Sequence, residues 1–194
     1  MRKALLAVVL AIGFLALSSA AQAAIITYQA ILNGPNEGTI SPGTGSALVM
    51  INDITNLMQV QASFTGLLST TTASHIHCCT LLPGTGTAGV ATTTPSFPGF
   101  PLGVTSGTFN NTFDLTLASS YNPAFVTAQG GIAAARAALL GGLAGGTTYF
   151  NIHTTLFSGG EIRGFLTPVA VPEPTSLALL GLGVAGAIAR RRRG

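Results

Sequence analysis

Thr108-Phe109-Asn110-Asn111-Thr112-Phe113-Asp114-Leu115-Thr116-Leu117 decides how the middle of this chain is read. Phe109, Asn111, Phe113, Leu115 and Leu117 alternate with Asn110, Thr112, Asp114 and Thr116. A period of two sends alternate side chains to opposite faces of an extended backbone, so the stretch is a half-buried strand with one mostly apolar face. Working outward, similar short runs bounded by Gly, Pro and Asn occur at Ile25–Leu32, Ser46–Asn52, Met58–Phe64, Ser74–Cys79, Thr147–Thr155 and Glu161–Pro168. Such spacing predicts an all-β domain, a Greek-key-like β-sandwich or barrel of about seven or eight strands.

One short helix interrupts the pattern. Ile132, Ala135, Ala138, Leu139 and Leu143 recur at spacings of three and four between Gly131 and Gly145. Ser158-Gly159-Gly160 reads as a tight hairpin turn centred on Ser158-Gly159 or on Gly159-Gly160. The choice matters, because a one-residue slip reverses the face each side chain takes. Thr80–Thr108 is a long Gly/Thr/Pro-rich stretch that wraps the surface or hides a strand near Gly89–Thr93.

The formal net charge of +3 suggests nucleic acid until the charges are placed. Arg2 and Lys3 sit at one end and Arg190, Arg191, Arg192 and Arg193 at the other. Between residues 24 and 168, Arg136 and Arg163 stand against Glu37, Asp53, Asp114 and Glu161, two bases against four acids. A phosphate-binding face needs clustered bases, and the middle has none. The basic ends flank apolar runs instead. Residues 1–23 carry a charged start, an apolar run from Ala4 to Leu17 and a small-x-small pattern at Ala21-Gln22-Ala23. This is a secretory signal helix cleaved between Ala23 and Ala24.

The C-terminus has three parts. Val171-Pro172-Glu173-Pro174 is stiff and non-helical, Ser176 to Ala189 is uncharged and apolar, and Arg190–Arg193 stop the run. As a helix, Ser176–Ala189 would span only about 21 Å against a hydrocarbon core of about 30 Å, a gap that snorkelling arginines and local thinning partly close. Arginine flanks stay cytoplasmic, which places the domain outside. Pro172-Glu173-Pro174, the apolar membrane helix and the terminal arginines together resemble the PEP-CTERM sorting signal. That resemblance implies an exosortase-type processing enzyme besides signal peptidase, and cleavage near Pro172–Pro174. It also implies a host that makes exopolysaccharide. The expected layout is residues 1–23 signal peptide, 24–168 β domain, 169–175 Pro-rich linker with the sorting motif, and 176–194 apolar helix plus Arg cluster. The expected route is an inner-membrane anchored intermediate, then the cell surface or the medium.

The three histidines lie in His75-Ile76-His77-Cys78-Cys79 and Asn151-Ile152-His153-Thr154. On a strand His75 and His77 share a face about 6–7 Å apart, and Cys79 joins them if the strand continues. His153 from another strand would supply a third nitrogen, giving a zinc or copper site. The alternative is that the histidines hydrogen-bond backbone or carboxylate groups at a sheet edge. Adjacent cysteines have Cα atoms closer than a relaxed disulfide wants, and a bridge between them closes no useful loop. Free thiols, intermolecular bridges, a strained redox switch or one thiolate ligand stay open, with a partly buried thiol pair as the plainest reading.

Tyr28-Gln29-Ala30-Ile31-Leu32-Asn33-Gly34, Asn36-Glu37, His75-Ile76-His77 and Tyr149-Phe150-Asn151-Ile152-His153-Thr154, followed by Gly159-Gly160-Glu161-Ile162-Arg163-Gly164, resemble the CHRD (chordin-type) module over about residues 25–167. The resemblance implies a β-sandwich or barrel without a defined biochemical role. Members usually have a glycine after the His-x-His, where this chain has Cys78-Cys79.

Other strings fail on context. Gly84-Thr85-Gly86-Thr87-Ala88-Gly89 matches a dinucleotide fingerprint but precedes a loop, not a helix. No Gly-x-Ser-x-Gly elbow occurs. Asp114 and Glu161 are a remote carboxylate pair, and Glu161 and Arg163 are expected to share a strand face and to pair with each other or with neighbours. The leading expectation is a non-enzymatic surface or extracellular-matrix module that binds a macromolecule or exopolysaccharide, or itself. The alternative is a copper or zinc binding or redox domain.

Overall fold

A computed structural model describes residues 25–169, so the signal helix, its cleavage site at Ala23 and Ala24, and the sorting tail with Pro172, Glu173, Pro174 and Arg190–Arg193 lie outside the described residues. The strands are β1 (Ile25–Asn33), β2 (Thr44–Asn52), β3 (Leu57–Thr65), β4 (Thr71–His77), β5 (Gly107–Asp114), β6 (Tyr149–Thr154), β7 (Ile162–Phe165) and β8 (Thr167–Pro168). They form one antiparallel sheet in the order β4-β6-β7-β1-β2-β3-β5, with β8 beside β1. The chain is all-β, as its alternation predicts.

Tyr28, Ala30 and Leu32 of β1 and Met58, Val60, Ala62 and Phe64 of β3 point inward, every second residue. The sheet must curl, and one ring proves it. Phe97 packs against Phe109 and Phe113 of β5 (centroids 5.8 and 5.1 Å) and against Phe150 of β6 (6.1 Å). In a flat sheet β5 and β6 would stand five strand spacings apart, roughly 24 Å. The architecture is therefore a single rolled sheet, an open barrel, whose gap is filled from residues 78–106 and by helices.

β5 ends at Asp114 and not at Leu117. The Asp114 carboxylate accepts from the Thr116 N–H (2.8 Å) and hydroxyl (2.6 Å), which bends the chain, buries Leu115 and leaves Leu117 52% exposed. More than the one expected helix follows from the sequence. Besides α1 (Gly34–Glu37), α2 (Pro123–Gln129) starts with Asn122 capping Ala124 N–H and a proline in its first turn. α3 (Ile132–Ala144) is the expected helix and buries Ala135, Leu139, Gly142 and Leu143.

The long stretch after β4 makes only isolated bridges near Gly89–Thr93, Val90 with His77 and Thr92 with Tyr121, and no continuous strand. It runs back along the outer edge of β4: Ala91 and Thr92 donate to Ile76 O, Phe97 to Ser74 O, and Gly103 to Thr71 O. This occupies the backbone groups that an edge strand would otherwise expose. The turn after β6 is also settled. Gly160 N–H donates to Phe157 O (3.0 Å), so Ser158-Gly159 are its central residues, and Ile152 pairs with Ile162 across the hairpin.

Candidate metal centre

Pairing of β4 with β6 brings the three histidines together. Ala73 faces His153, His75 faces Asn151, and His77 faces Tyr149. Ile76, Phe150 and Ile152 turn to the core, so the imidazoles stand on the opposite, convex face. That face is roofed there, and the rings are still only 6–8% exposed. Ring centroids lie 5.9 Å apart for His75–His77, 5.1 Å for His75–His153 and 5.7 Å for His77–His153.

Each ring is pinned by one backbone carbonyl. His75 Nε2 donates to Pro95 O (2.6 Å), His77 Nδ1 to Ala88 O (2.9 Å) and His153 Nδ1 to Ser158 O (2.9 Å). A carbonyl only accepts, so these nitrogens carry the protons. The others, His75 Nδ1, His77 Nε2 and His153 Nε2, are buried and have no hydrogen-bond partner. They hold lone pairs, which is the arrangement by which proteins orient metal-ligating histidines. Burial keeps the rings neutral: it is the main force lowering His75 and His77 to about 4, and it lowers His153 as well.

One ring nitrogen from each histidine lies within 4.8 Å of the others. A tetrahedral ion bound at about 2.0–2.1 Å needs its nitrogens about 3.4 Å apart, so closure takes a small rotation of the rings. The residues fit a three-imidazole ion site. Zinc and copper suit such donors better than calcium or magnesium, which want oxygen.

Cys79 does not join this set. β4 stops at His77, so alternation no longer governs the next two residues. Cys78 and Cys79 are joined to each other as a disulfide, not a thiol pair, with their sulfurs beside Ala138 O of α3 (3.7 and 3.5 Å). Gly142 makes room: a Cβ there would sit 2.6 Å from Cys79 Sγ and 2.8 Å from Cys78 Sγ.

Around the trio lies a short aromatic and ionic row. The Tyr149 ring stacks on His77 (4.7 Å) and has the Arg163 guanidinium over it (4.8 Å). Arg163 bridges to Glu37 at 3.1 Å. Of the two expected arrangements, pairing with neighbours is the one found, and the expected shared strand face is not, because Glu161 precedes β7 and turns inward. There, fully buried, Glu161 accepts from Ser41 Oγ (2.6 Å), Leu68 N (2.6 Å) and Thr154 Oγ1 (2.7 Å). Asp114, held by Thr116 in an exposed turn, shares no partner with it.

A profile of the CHRD domain matches residues 28–166, most of the chain and all three histidines. The chain belongs to the CHRD family. A PEP-CTERM protein-sorting motif matches residues 170–193, which implies export and membrane-associated sorting to the cell surface by an exosortase-type enzyme. Searches of curated proteins and of solved structures gave no significant match.

In this CHRD domain the sequence motifs reveal the imidazoles but not what pins them. Ala88, Pro95 and Ser158 act through backbone carbonyls, which carry no signature in side-chain identity. Tyr149, two residues before Asn151 on the same strand face, is the neighbour that alternation alone would have named.

Proposed function

We propose that this CHRD protein is a non-enzymatic, surface-displayed module that holds one zinc or copper ion between His75, His77 and His153. One observation carries the reading: three clustered, buried histidines each leave one ring nitrogen without a partner while the opposite nitrogen is fixed by a carbonyl. Folded domains leave few buried polar atoms unsatisfied, and three of them gathered in one cluster of metal-ligating side chains favour a bound ion as the explanation. The test is metal content of the purified protein after exposure to zinc and to copper, beside a His75→Ala/His77→Ala variant. About one ion per chain in the former and none in the latter is expected. None in both removes the metal centre.

On this reading signal peptidase cuts between Ala23 and Ala24, the tail holds an inner-membrane intermediate, and the exosortase-type enzyme cuts near Pro172–Pro174. Deleting residues 171–194 should release the domain from the envelope or stall its processing. A truncated protein that fractionates like the full chain ends the anchoring idea.

A second surface supports a matrix role beside the metal. Ser46, Ser63, Thr65, Ser106 and Thr108 line a shallow groove of about 590 Å³ without a charged group. Hydroxyls without charge suit a neutral partner such as exopolysaccharide. Titration with neutral polysaccharide tests this, and no heat or mobility change at millimolar sugar would discard it.

A further inference from the structure

We propose that the three-histidine site selects a monovalent d10 ion, copper(I), over divalent zinc. The inference rests on the reading of the trio as a metal site and adds the identity of the ion.

The donor set comes first. Among the described residues the cluster contains three imidazoles and no carboxylate or thiolate. The two cysteines are bonded to each other at α3. Three neutral nitrogens complete the shell of trigonal copper(I). Zinc in a closed protein site takes four ligands, usually including thiolates, and an open site needs water in the fourth place. Here the rings are 6–8% exposed and capped by the segments that carry Ala88, Pro95 and Ser158.

Charge decides further. An ion moved from water into a buried site loses hydration energy that grows with the square of its charge, so a dication loses about four times what a monocation of similar size loses. Buried dications are therefore matched by anions. The local carboxylates are committed elsewhere. Glu37 bridges to Arg163, and Glu161 is saturated by three donors on the inner side of the hairpin. No anion is left over to offset a dication: Arg163, whose guanidinium sits over the Tyr149 ring that stacks on His77, balances Glu37.

The experiment loads the purified protein without oxygen, using copper(I) supplied as its acetonitrile complex, zinc(II) alone, and the two together. A chromophoric copper(I) chelator reads the affinity. One equivalent of copper(I), retained against a hundredfold excess of zinc(II), is expected. Zinc displacing copper(I), or binding as tightly, overturns the selectivity while the metal site stands. Neither ion binding overturns the site itself. His77→Phe keeps the stacked ring and should lose copper(I). If it keeps the full equivalent and an unchanged melting curve, the ion lies elsewhere and the assignment fails. Arg163→Gln should move the zinc-to-copper(I) affinity ratio toward zinc by roughly tenfold, the size of one charge acting through a partly buried path. An unchanged ratio removes the charge argument.

Discussion

Two buried polar sites share the β6–turn–β7 hairpin and are finished in opposite ways. Glu161, on the inner side, has no exposed surface and accepts three hydrogen bonds from Ser41, Leu68 and Thr154. Across the sheet, His75, His77 and His153 are nearly as buried, yet each leaves a ring nitrogen without a partner. A saturated carboxylate ties segments together: here the loop before β2, the β3–β4 connection and the end of β6. An unsaturated set of lone pairs ties nothing and costs free energy until something fills it. The same fold, a few residues apart, shows that it can satisfy a buried polar group completely. The three unpartnered ring nitrogens of one cluster are what the proposed ion would fill.

The largest expected effect breaks the saturated side. Glu161→Ala strands the buried hydroxyls of Ser41 and Thr154 and the partly buried N–H of Leu68; a buried donor left unpaired costs about 1–3 kcal/mol, so urea unfolding should show a loss of about 3 kcal/mol. Glu161→Gln, which keeps an acceptor, should lose less. A loss under about 1 kcal/mol for the alanine variant would mean that Glu161 is not a fastener and that the contrast is false.

Next comes the unsaturated side filled. At a metal concentration one hundred times the dissociation constant, binding to the folded state alone adds about 2.7 kcal/mol. The thermal midpoint should rise with metal in the native protein and stay fixed in His75→Ala/His77→Ala. An equal rise in both would place the metal outside the trio.

How much of this contrast the sequence discloses follows from which groups carry it. The strands are legible because Tyr28, Ala30 and Leu32, or Met58, Val60, Ala62 and Phe64, alternate without interruption. The histidines are legible as His-x-His plus one more, since spacing of two fixes their shared face. Strand adjacency is not, because β4 and β6 are separated by more than seventy residues and pair only in the folded sheet. Glu161 misleads because the alternation in the sequence runs one residue beyond the start of β7, into a turn. Asn122-Pro123 announced α2 by cap and first-turn proline, a signal that the apolar stripe of α3 overshadows.

A smaller effect tests the residue between the two sites. Gly160 has φ 132°, and a Cβ there would lie 2.5 Å from the Asn151 amide. Gly160→Ala combines backbone strain with a clash against a buried side chain and should cost about 2 kcal/mol. Its neighbour Ser158 supplies the carbonyl that pins His153, so metal affinity should fall as well. Unchanged affinity with lowered stability would show that the turn supports only the Glu161 side.

The smallest expected effect at neutral pH is also the sharpest discriminator. His77→Phe removes an unpaired Nε2 and one hydrogen bond, while the Ala88 carbonyl keeps the Tyr149 hydroxyl at 3.1 Å. The phenyl ring can retain the stack on Tyr149. Gain and loss nearly cancel, so the metal-free variant should lie within about 1 kcal/mol of the native protein at pH 7. Acid separates them. In the unfolded chain an imidazole takes its proton near pH 6.5, whereas burial holds His75 and His77 at about 4 in the folded chain. Between those values the unfolded state binds more protons, so stability is lost as pH falls from about 6.5 toward about 4, and the decline ends below that window. The limiting slope is about 1.4 kcal/mol per pH unit for each such histidine. Glu37, raised by burial, works in the opposite direction, but it does so in both proteins and drops out of the difference to first order. His77→Phe should therefore show the shallower decline, measured as urea midpoints at pH 7, 6 and 5 in chelator-treated buffer. Parallel curves would mean that the folded His77 takes its proton as readily as the unfolded one, and the contrast between a finished and an unfinished polar site would lose its electrostatic half.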